Sequence, residues 1–150
     1  MVIVLFQPQI PQNAGNIVRT CSVTGTSLYL IRPLGFSVHD RWLKRAGLDY
    51  WEGVDVQIYD DLPTLLEQTE NNFYFFSSKA TKLYTEAKYK KGDFLIFGSE
   101  TSGFPPEYFQ KWPDRFVKIP QVPGKRCLNL ATSAGIGIYE AIRQNGLEIN

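Results

Sequence analysis

The sequence predicts an α/β fold with a mostly parallel sheet and flanking helices. Short apolar runs alternate with stretches of helical pattern through most of the chain, which is the order of elements found in parallel sheets. The run over residues 2–6 is continuously apolar, as expected of a strand that is buried on both faces. No repeat, linker or low-complexity tract divides residues 1–150, so we expect a single domain.

Six runs are the predicted strands, and they come in chain order between turn and helix signals. The first is wholly apolar and leads into Gln7-Pro8, whereas the third alternates like a half-buried strand. The six runs cover residues 2–6, 27–31, 54–59, 73–76, 94–97 and 116–119.

Helix signals in the first half of the chain follow the first two strands. Asn13 or Asn16 is a candidate N-cap for a helix that runs to about Thr24, with Gly25 as its stop signal. After the turn at 32–35, a second and shorter helix is predicted over residues 40–46, between Asp40 as its cap and Gly47.

In the second half, three further helices are predicted. Asp60 or Asp61 begins a helix over Leu62, Leu65 and Leu66. Another helix follows Pro105-Pro106, because proline is favoured at the first helical position. A long helix over residues 128–144 ends before Gly146.

The long C-terminal helix is unusually rich in small residues. It contains Gly135 and Gly137, and a glycine inside a helix costs about 1 kcal/mol relative to alanine. Two such glycines predict close packing on that helix, which we assign to a contact between subunits.

Composition is typical of a folded globule. Of the residues, 43% are hydrophobic and 14% aromatic, and no apolar run approaches the ~20 residues that span a bilayer. The first residues lack the basic region of a signal peptide. Two cysteines and a single histidine show no metal-ligand spacing, so we expect a reduced, cytoplasmic protein without a structural metal.

The net charge of +1 argues against a uniformly basic nucleic-acid binder. Its distribution is less even, because Arg41, Lys44 and Arg45 share one face of a predicted helix. Further cations fall in or near predicted loops: Lys88, Lys90, Lys91, Lys125 and Arg126. A local basic stripe can hold phosphates despite a balanced total, and ordinary solvated charge is the alternative reading.

Three segments combine small residues with a few polar ones in a way that a core does not require. They cover residues 13–19, 97–105 and 119–130, and each lies where a strand is followed by a helix. In open α/β sheets, ligands bind outside the carboxyl ends of strands. The three segments therefore predict one composite pocket.

The common nucleotide-binding motifs are absent from the sequence. Gly135-Ile-Gly137 lacks a third glycine and does not follow a strand, so it is not a dinucleotide fingerprint. Pro123-Gly-Lys125 precedes an arginine where a P-loop requires serine or threonine. These absences disfavour an oxidoreductase that uses a nicotinamide cofactor.

The three segments resemble the motifs of the SPOUT methyltransferase superfamily. In particular they are similar to the small tRNA (cytidine/uridine-2′-O-)-methyltransferases of the TrmL type, which modify the wobble nucleotide. The resemblance covers nearly the whole chain, and the strings that carry it are residues 8–19, 45–50, 92–98, 129–130 and 139–141.

The resemblance implies a parallel sheet whose C-terminal segment is threaded through a loop as a deep trefoil knot. Knots are rare exceptions to the topology rules, so nothing in the periodicity predicts one. The resemblance also implies S-adenosyl-L-methionine as the cofactor, the tRNA anticodon stem-loop as the partner, and a homodimer with the active site at its interface. A membrane is not implied.

The resemblance further implies roles for individual residues. Cofactor contacts fall at Phe76, Gly98, Ile119, Cys127 and Leu128, and catalytic roles at Arg19, Glu100 and Asn129. With an RNA substrate, the candidate phosphate contacts are Arg41, Lys44, Arg45 and Lys125. The chain departs from the family at Cys127 and Thr132, where serine and asparagine are usual.

Arg19 is sometimes assigned as a general base in this family. A guanidinium group has a pKa above ~12, so phosphate positioning or stabilisation of a developing alkoxide is the easier role. Two alternatives to the wobble reaction stay open at this stage. One is 2′-O-methylation at another tRNA or rRNA position, and the other is a catalytically silent RNA-binding module.

Overall fold

A parallel six-stranded sheet forms the centre of the protein. The computed structural model describes residues 1–37 and 53–149. Within them the strand order is β3-β2-β1-β5-β4-β6, and all neighbouring strands pair in parallel. The strands are β1 (Val2–Phe6), β2 (Ser27–Ile31), β3 (Val56–Tyr59), β4 (Phe73–Phe76), β5 (Phe94–Phe97) and β6 (Phe116–Val117). The predicted fold class is confirmed, with flanking helices on both faces of the sheet.

The α-helices of the described residues are α1 (Pro11–Thr24), α2 (Leu62–Gln68), α3 (Pro106–Lys111) and α4 (Leu130–Gln144). Two short 3₁₀ helices cover Tyr84–Glu86 and Pro113–Arg115. The helix predicted over residues 40–46 lies outside the described residues. Asp61 caps α2 as expected, because its carboxylate accepts a hydrogen bond from the Thr64 backbone N–H.

The core lies in two layers, one on each face of the sheet. Successive side chains of a strand point to opposite faces. Ile3 and Leu5 of β1 therefore pack under α1 and α4, and Val2 and Val4 lie in the layer that contains α2. This burial on both faces explains why β1 and β5 are apolar along their whole length.

Two strands are shorter than predicted. β3 begins at Val56 rather than at residue 54. Its pairing with β2 starts only there, where Val56 lies opposite Leu28. β6 ends at Val117 rather than at residue 119. There the chain leaves β4, and the Lys118 N–H donates to the Lys82 carbonyl instead.

The start of α1 was wrongly predicted. The helix begins at Pro11 with Ile10 as its N-cap residue, so Asn13 and Asn16 lie inside it. Proline supplies a suitable φ at the first position, and the N-terminus is bonded by Glu100 from a distant loop. The predicted end is confirmed, because Gly25 has φ +68° and its N–H donates to the Cys21 carbonyl.

The C-terminal helix begins at Leu130, two residues later than predicted, with Asn129 as its cap. The assignment of both glycines to a subunit contact was wrong for Gly137. A Cβ built there would lie 3.0 Å from Phe76 Cε2 and 3.1 Å from Phe97 Cζ, so this glycine lets α4 pack against its own sheet. A Cβ at Gly135 would meet no atom within 4 Å.

The sheet has a switch point between β1 and β5. From β1 the chain continues to β2 on one side, and from β5 it continues to β6 on the other side. Such a switch point opens a crevice at the carboxyl ends of the two strands. The threading of the C-terminal segment as a knot stays a prediction.

Candidate functional site

A cleft of about 630 Å³ lies at the carboxyl ends of the central strands. Its walls come from the loops that follow β4, β5 and β6 and from the N-terminus of α1. This is the position that the topology of the sheet favours for a ligand. The cleft brings together all three of the segments that the sequence singled out.

Seven of the predicted site residues line this cleft. They are Phe76, Gly98, Glu100, Ile119, Cys127, Leu128 and Asn129. The set includes every residue expected to contact a cofactor and two of the three expected to be catalytic.

Other predicted site residues lie elsewhere. Arg19 is exposed on α1 and is not among the residues that line the cleft. It is the ninth residue of the helix, roughly 12 Å along the axis from the first. Lys125 is exposed in the loop that follows β6, whereas its neighbour Arg126 lines the cleft. Arg41, Lys44 and Arg45 lie outside the described residues.

Glu100 connects the loop after β5 to the start of α1. Its Oε1 atom accepts a hydrogen bond of 2.9 Å from the Gln9 N–H, and its Oε2 atom accepts one of 2.9 Å from the Ile10 N–H. The Asn13 amide donates to the same Oε2 atom over 3.2 Å. The carboxylate thus lies at the N-terminus of α1, where the helix dipole favours a negative charge.

Asn13 and Asn129 extend this network to the C-terminal helix. The Asn129 amide Nδ2 donates to Asn13 Oδ1 over 2.9 Å. Asn129 Oδ1 meanwhile accepts from the Ala131 and Thr132 N–H groups and caps α4. Three segments that are far apart in sequence are therefore held in one geometry through side chains at the cleft.

The inner part of the cleft is apolar. The Phe76 and Phe97 rings stack with their centroids 4.6 Å apart. Ile119, Leu128 and Leu130 add aliphatic side chains to this lining. Leu128 is 39% exposed although it is a large aliphatic residue, so part of this lining faces open space.

The loop after β5 folds back on itself at two glycines. Ser99 and Gly103 exchange two backbone hydrogen bonds, of 3.2 and 2.9 Å. A Cβ at Gly98 would lie 2.9 Å from the Gly103 carbonyl carbon, which is closer than real Cβ atoms approach backbone. Gly103 has φ +63°, which glycine adopts without strain. Both glycines are needed for the tight loop at the floor of the cleft.

Sequence reasoning missed several polar residues of the cleft. Asn13 was interpreted as a helix cap, whereas it is a buried bridge between two loops. Ser77 and Ser78 directly follow β4 and line the cleft, so the rule on carboxyl ends of strands was sufficient to find them. Ser78 Oγ lies 3.4 Å from Cys127 Sγ, in hydrogen-bond contact.

The two cysteines have different environments. Cys127 is exposed at the cleft, whereas Cys21 is buried in the core between α1 and the sheet. Burial raises the pKa of the Cys21 thiol to about 12, so Cys21 stays protonated and packs as a small apolar side chain.

Residues 1–37 and 53–149 contain neither a metal-binding cluster nor a membrane-spanning helix. No group of three or more histidine, cysteine, aspartate or glutamate residues is arranged to hold a metal ion there. None of the helices in those ranges is both long enough and apolar enough to cross a membrane.

Known proteins with similar sequences and structures are RNA methyltransferases. A Geobacillus stearothermophilus protein is 48% identical over 95% of this chain and 93% of its own length; its naming as a tRNA (cytidine(34)-2′-O)-methyltransferase is provisional. A solved structure described under 2′-OH methylation of C/U34 on tRNA is 42% identical, with a TM-score of 0.90 over 98% of this chain and 97% of that chain.

A more distant structure shares the fold. The SpoU methyltransferase AviRb from Streptomyces viridochromogenes, solved in complex with AdoMet, is 19% identical and has a TM-score of 0.85. The alignment covers 97% of this chain and 57% of that one. The model of the SpoU rRNA methylase family matches residues 1–139. Because that match spans nearly the whole sequence and includes all the segments around the cleft, the chain belongs to the SpoU methylase family.

Proposed function

We propose that the protein transfers a methyl group from S-adenosyl-L-methionine to the ribose 2′-oxygen of the wobble nucleotide, a cytidine or modified uridine, in the anticodon loop of tRNA. The observation that carries this proposal is the cleft, in which the three family motifs meet at the carboxyl ends of β1, β4, β5 and β6. The names of the 48% and 42% identical proteins support tRNA position 34 as the target.

The cleft has the size and chemistry that the cofactor requires. Its volume of about 630 Å³ falls in the range of ~300–1,000 Å³ that is typical of small-molecule sites. Phe76, Ile119 and Leu128 offer an apolar surface for an adenine ring, and Ser77 and Ser99 offer hydrogen-bonding groups nearby. The bound cofactor supplies an activated methyl group with its own leaving group, so the protein has to align the reactants and manage one proton.

The chain's own residues provide this alignment. Glu100 fixes the start of α1 against the loop after β5. Asn13 is hydrogen-bonded to both Glu100 and Asn129, so it holds Asn129 in a fixed position relative to that loop. Because Asn129 also caps α4, the substrate ribose meets groups whose positions are set before it binds. Such preorganisation is the main means by which a protein accelerates group transfer.

Arg19 is the proposed charge-stabilising residue, and its position favours a homodimer. It is exposed on α1 and does not line the cleft of its own chain. The exposed surfaces of α1 and α4 also present Val23, which is 57% exposed, and Tyr139, which is 50% exposed. We infer that these surfaces meet in a homodimer, in which Arg19 reaches the cleft of the partner and contacts a phosphate or the developing alkoxide.

The remaining parts of the proposal concern the substrate and the cell. Arg41, Lys44, Arg45 and Lys125 are proposed contacts to the RNA backbone, since an anticodon stem-loop is a dense array of phosphates. Unstacked loop bases are the usual targets of specific RNA recognition. We further propose that residues 1–150 act as one methyltransferase domain, in the cytoplasm where its substrate is found.

The test is methylation of total tRNA by the purified protein with isotopically labelled S-adenosylmethionine, followed by mass mapping of nuclease fragments. The expected product is 2′-O-methylation at the wobble nucleotide alone. Arg19→Ala is expected to cut the rate by at least ~100-fold, the scale of losing one preorganised donor. Arg19→Lys tests whether charge without the planar guanidinium is sufficient.

The alternatives give different results in this experiment. Methylation at another tRNA position or in ribosomal RNA would mean that the reaction is the proposed one but that the substrate is different. Binding of RNA without affinity for S-adenosylhomocysteine would indicate a silent RNA-binding module and would overturn the proposal.

A further inference from the structure

A second groove, of about 340 Å³, lies directly beside the cleft. It is lined by Lys79, Ala80, Thr81, Lys82, Phe109, Pro113, Asp114 and Phe116. Lys79 and Phe109 also line the cleft, so the two depressions share a wall. The groove lies at the edge of the sheet formed by β6, and apart from those two shared residues its lining is distinct from that of the cleft.

The loop that carries the groove's two lysines is fixed to the sheet at both ends. The Ser77 N–H donates to the Val117 carbonyl over 2.9 Å, and the Lys118 N–H donates to the Lys82 carbonyl over 2.8 Å. Between these ends, Ala80 is buried in the core layer that contains α2. The side chains of Lys79 and Lys82 therefore extend from a held backbone rather than from a free loop.

The two lysine charges are not neutralised within the part of the chain that the structure describes. There, Lys91 pairs with Glu148 and Lys111 with Glu67, whereas no carboxylate oxygen lies within 4.0 Å of the Lys79 or Lys82 ammonium. Asp114 is the acidic residue of the groove and is exposed. The groove is thus net positive by one charge, and Arg126 adds another cation at the cleft.

We propose that this groove binds the phosphates adjacent to the target nucleotide, as the docking surface for the anticodon stem-loop of tRNA. This inference rests on the proposed function and adds contacts that the sequence did not indicate. A nucleotide whose ribose enters the cleft remains joined to phosphates on both sides, so the RNA backbone has to leave the cleft along an adjoining surface. Lysines next to a partly exposed aromatic ring, Phe109, form the combination that single-stranded nucleic acid binds.

The test compares tRNA binding by two charge-matched double variants. Lys79→Gln/Lys82→Gln removes the groove's cations, and Lys88→Gln/Lys90→Gln is the control. The control lysines are exposed and lie near the amino end of β5, at the opposite end of that strand from the cleft. Their position follows from the hydrogen bond between the Lys90 N–H and Asp93, which directly precedes β5. Dissociation constants for tRNA are measured from about 50 to 200 mM salt, with S-adenosylhomocysteine titrations in parallel.

Each phosphate contact contributes about 0.7–0.9 to the slope of log K against log salt. Loss of two contacts is expected to weaken tRNA binding by roughly 10- to 100-fold at about 0.1 M salt. Over the fourfold salt range, the wild type and the control should lose about tenfold more affinity than the groove variant. Affinity for S-adenosylhomocysteine should be retained by the single variant Lys82→Gln, because Lys82 does not line the cleft.

A groove variant that binds tRNA with wild-type affinity and salt slope overturns the inference, even where wobble methylation by the wild type supports the proposed function. Equal weakening in the control overturns it too, since the effect is then a general one of net charge. If the double variant also binds S-adenosylhomocysteine more weakly, tRNA binding by Lys82→Gln alone is the test: weaker binding supports the inference, and wild-type binding overturns it. A wild type that binds no tRNA refutes the proposed function and the inference with it.

Discussion

Replacement of Glu100 by glutamine tests whether one side chain organises the cleft. The carboxylate accepts hydrogen bonds from two backbone N–H groups and from the Asn13 amide. Glutamine keeps a single acceptor oxygen. When that oxygen serves Ile10 and Asn13, the new amide NH₂ faces the Gln9 N–H, so a donor meets a donor.

The expected cost follows from the interactions lost. One hydrogen bond to a charged acceptor contributes about 1.5–3 kcal/mol. The negative charge at the N-terminus of α1 adds about 0.3–1 kcal/mol. Glu100→Gln should therefore lower the free energy of unfolding by about 2–4 kcal/mol, toward the smaller value because Glu100 is only partly buried.

The assay is urea denaturation, together with a titration of S-adenosylhomocysteine and the rate of methyl transfer. Glu107→Gln is the matched control, since Glu107 is exposed in the first turn of α3. It should cost no more than about 1 kcal/mol. Glu100→Gln should also slow transfer, because Asn13 and Asn129 lose their fixed position. A Glu100→Gln protein as stable and as active as the wild type would refute the reasoning.

Three other substitutions test the structural effects of single residues. Gly98→Ala should destabilise by about 1–3 kcal/mol and weaken S-adenosylhomocysteine binding, because its Cβ meets the Gly103 backbone. Gly135→Ala, with open space around its Cβ within the chain, should instead stabilise α4 by up to about 1 kcal/mol in thermal unfolding, and a loss of stability would place Gly135 in the proposed subunit contact. Arg143 holds the pKa of Glu140 below its usual range, so that glutamate stabilises the fold above the unfolded-state pKa. Glu140→Gln should lower stability at pH 7, and its difference from the wild type should vanish in urea titrations as the pH falls below about 4.

Elements whose determinants are local were predictable from the sequence. The bounds of β1, β2, β4 and β5 were predicted to the residue. β1 and β5 are buried and apolar along their whole length, which makes such strands easy to find. The cap of α2 at Asp61 was also a local feature. Local sequence patterns predicted the wrong boundary where a residue distant in sequence fixes the end of an element, as at the start of α1. The carboxylate that holds the chain at this point belongs to Glu100, 90 positions away from Ile10 in the chain.

The same distinction applies to the site. Motif residues could be assigned to one cleft because strand ends of a parallel sheet meet at one edge. The contacts of each residue depend on tertiary packing, which the spacing of residues in the sequence does not reveal. Gly137 was assigned to a subunit contact, but it faces Phe76 and Phe97 of its own sheet. Asn13 has the residue type of a helix cap and serves as a bridge between Glu100 and Asn129.

The exposed position of Arg19 leads to a decisive test of the proposed dimer. If Arg19 acts in the partner's cleft, Arg19→Ala and a variant with a blocked cleft should complement each other. Cys127→Trp is suited to the second role, since Cys127 is exposed at the cleft and a bulky ring there fills it without disturbing the core. Each variant alone should be inactive, whereas Cys127→Ser should retain transfer.

Co-expression with two different affinity tags yields mixed dimers. Half of all dimers are then mixed, and each mixed dimer keeps one cleft with neither change, so about a quarter of wild-type activity should return. Within a single chain, by contrast, every site would carry one defect. Mixed dimers that form but stay inactive would therefore locate Arg19 at its own cleft, and a monomer in light scattering at micromolar concentration would exclude the shared site. Recovery of activity would show that α1 of one subunit completes the catalytic site of the other.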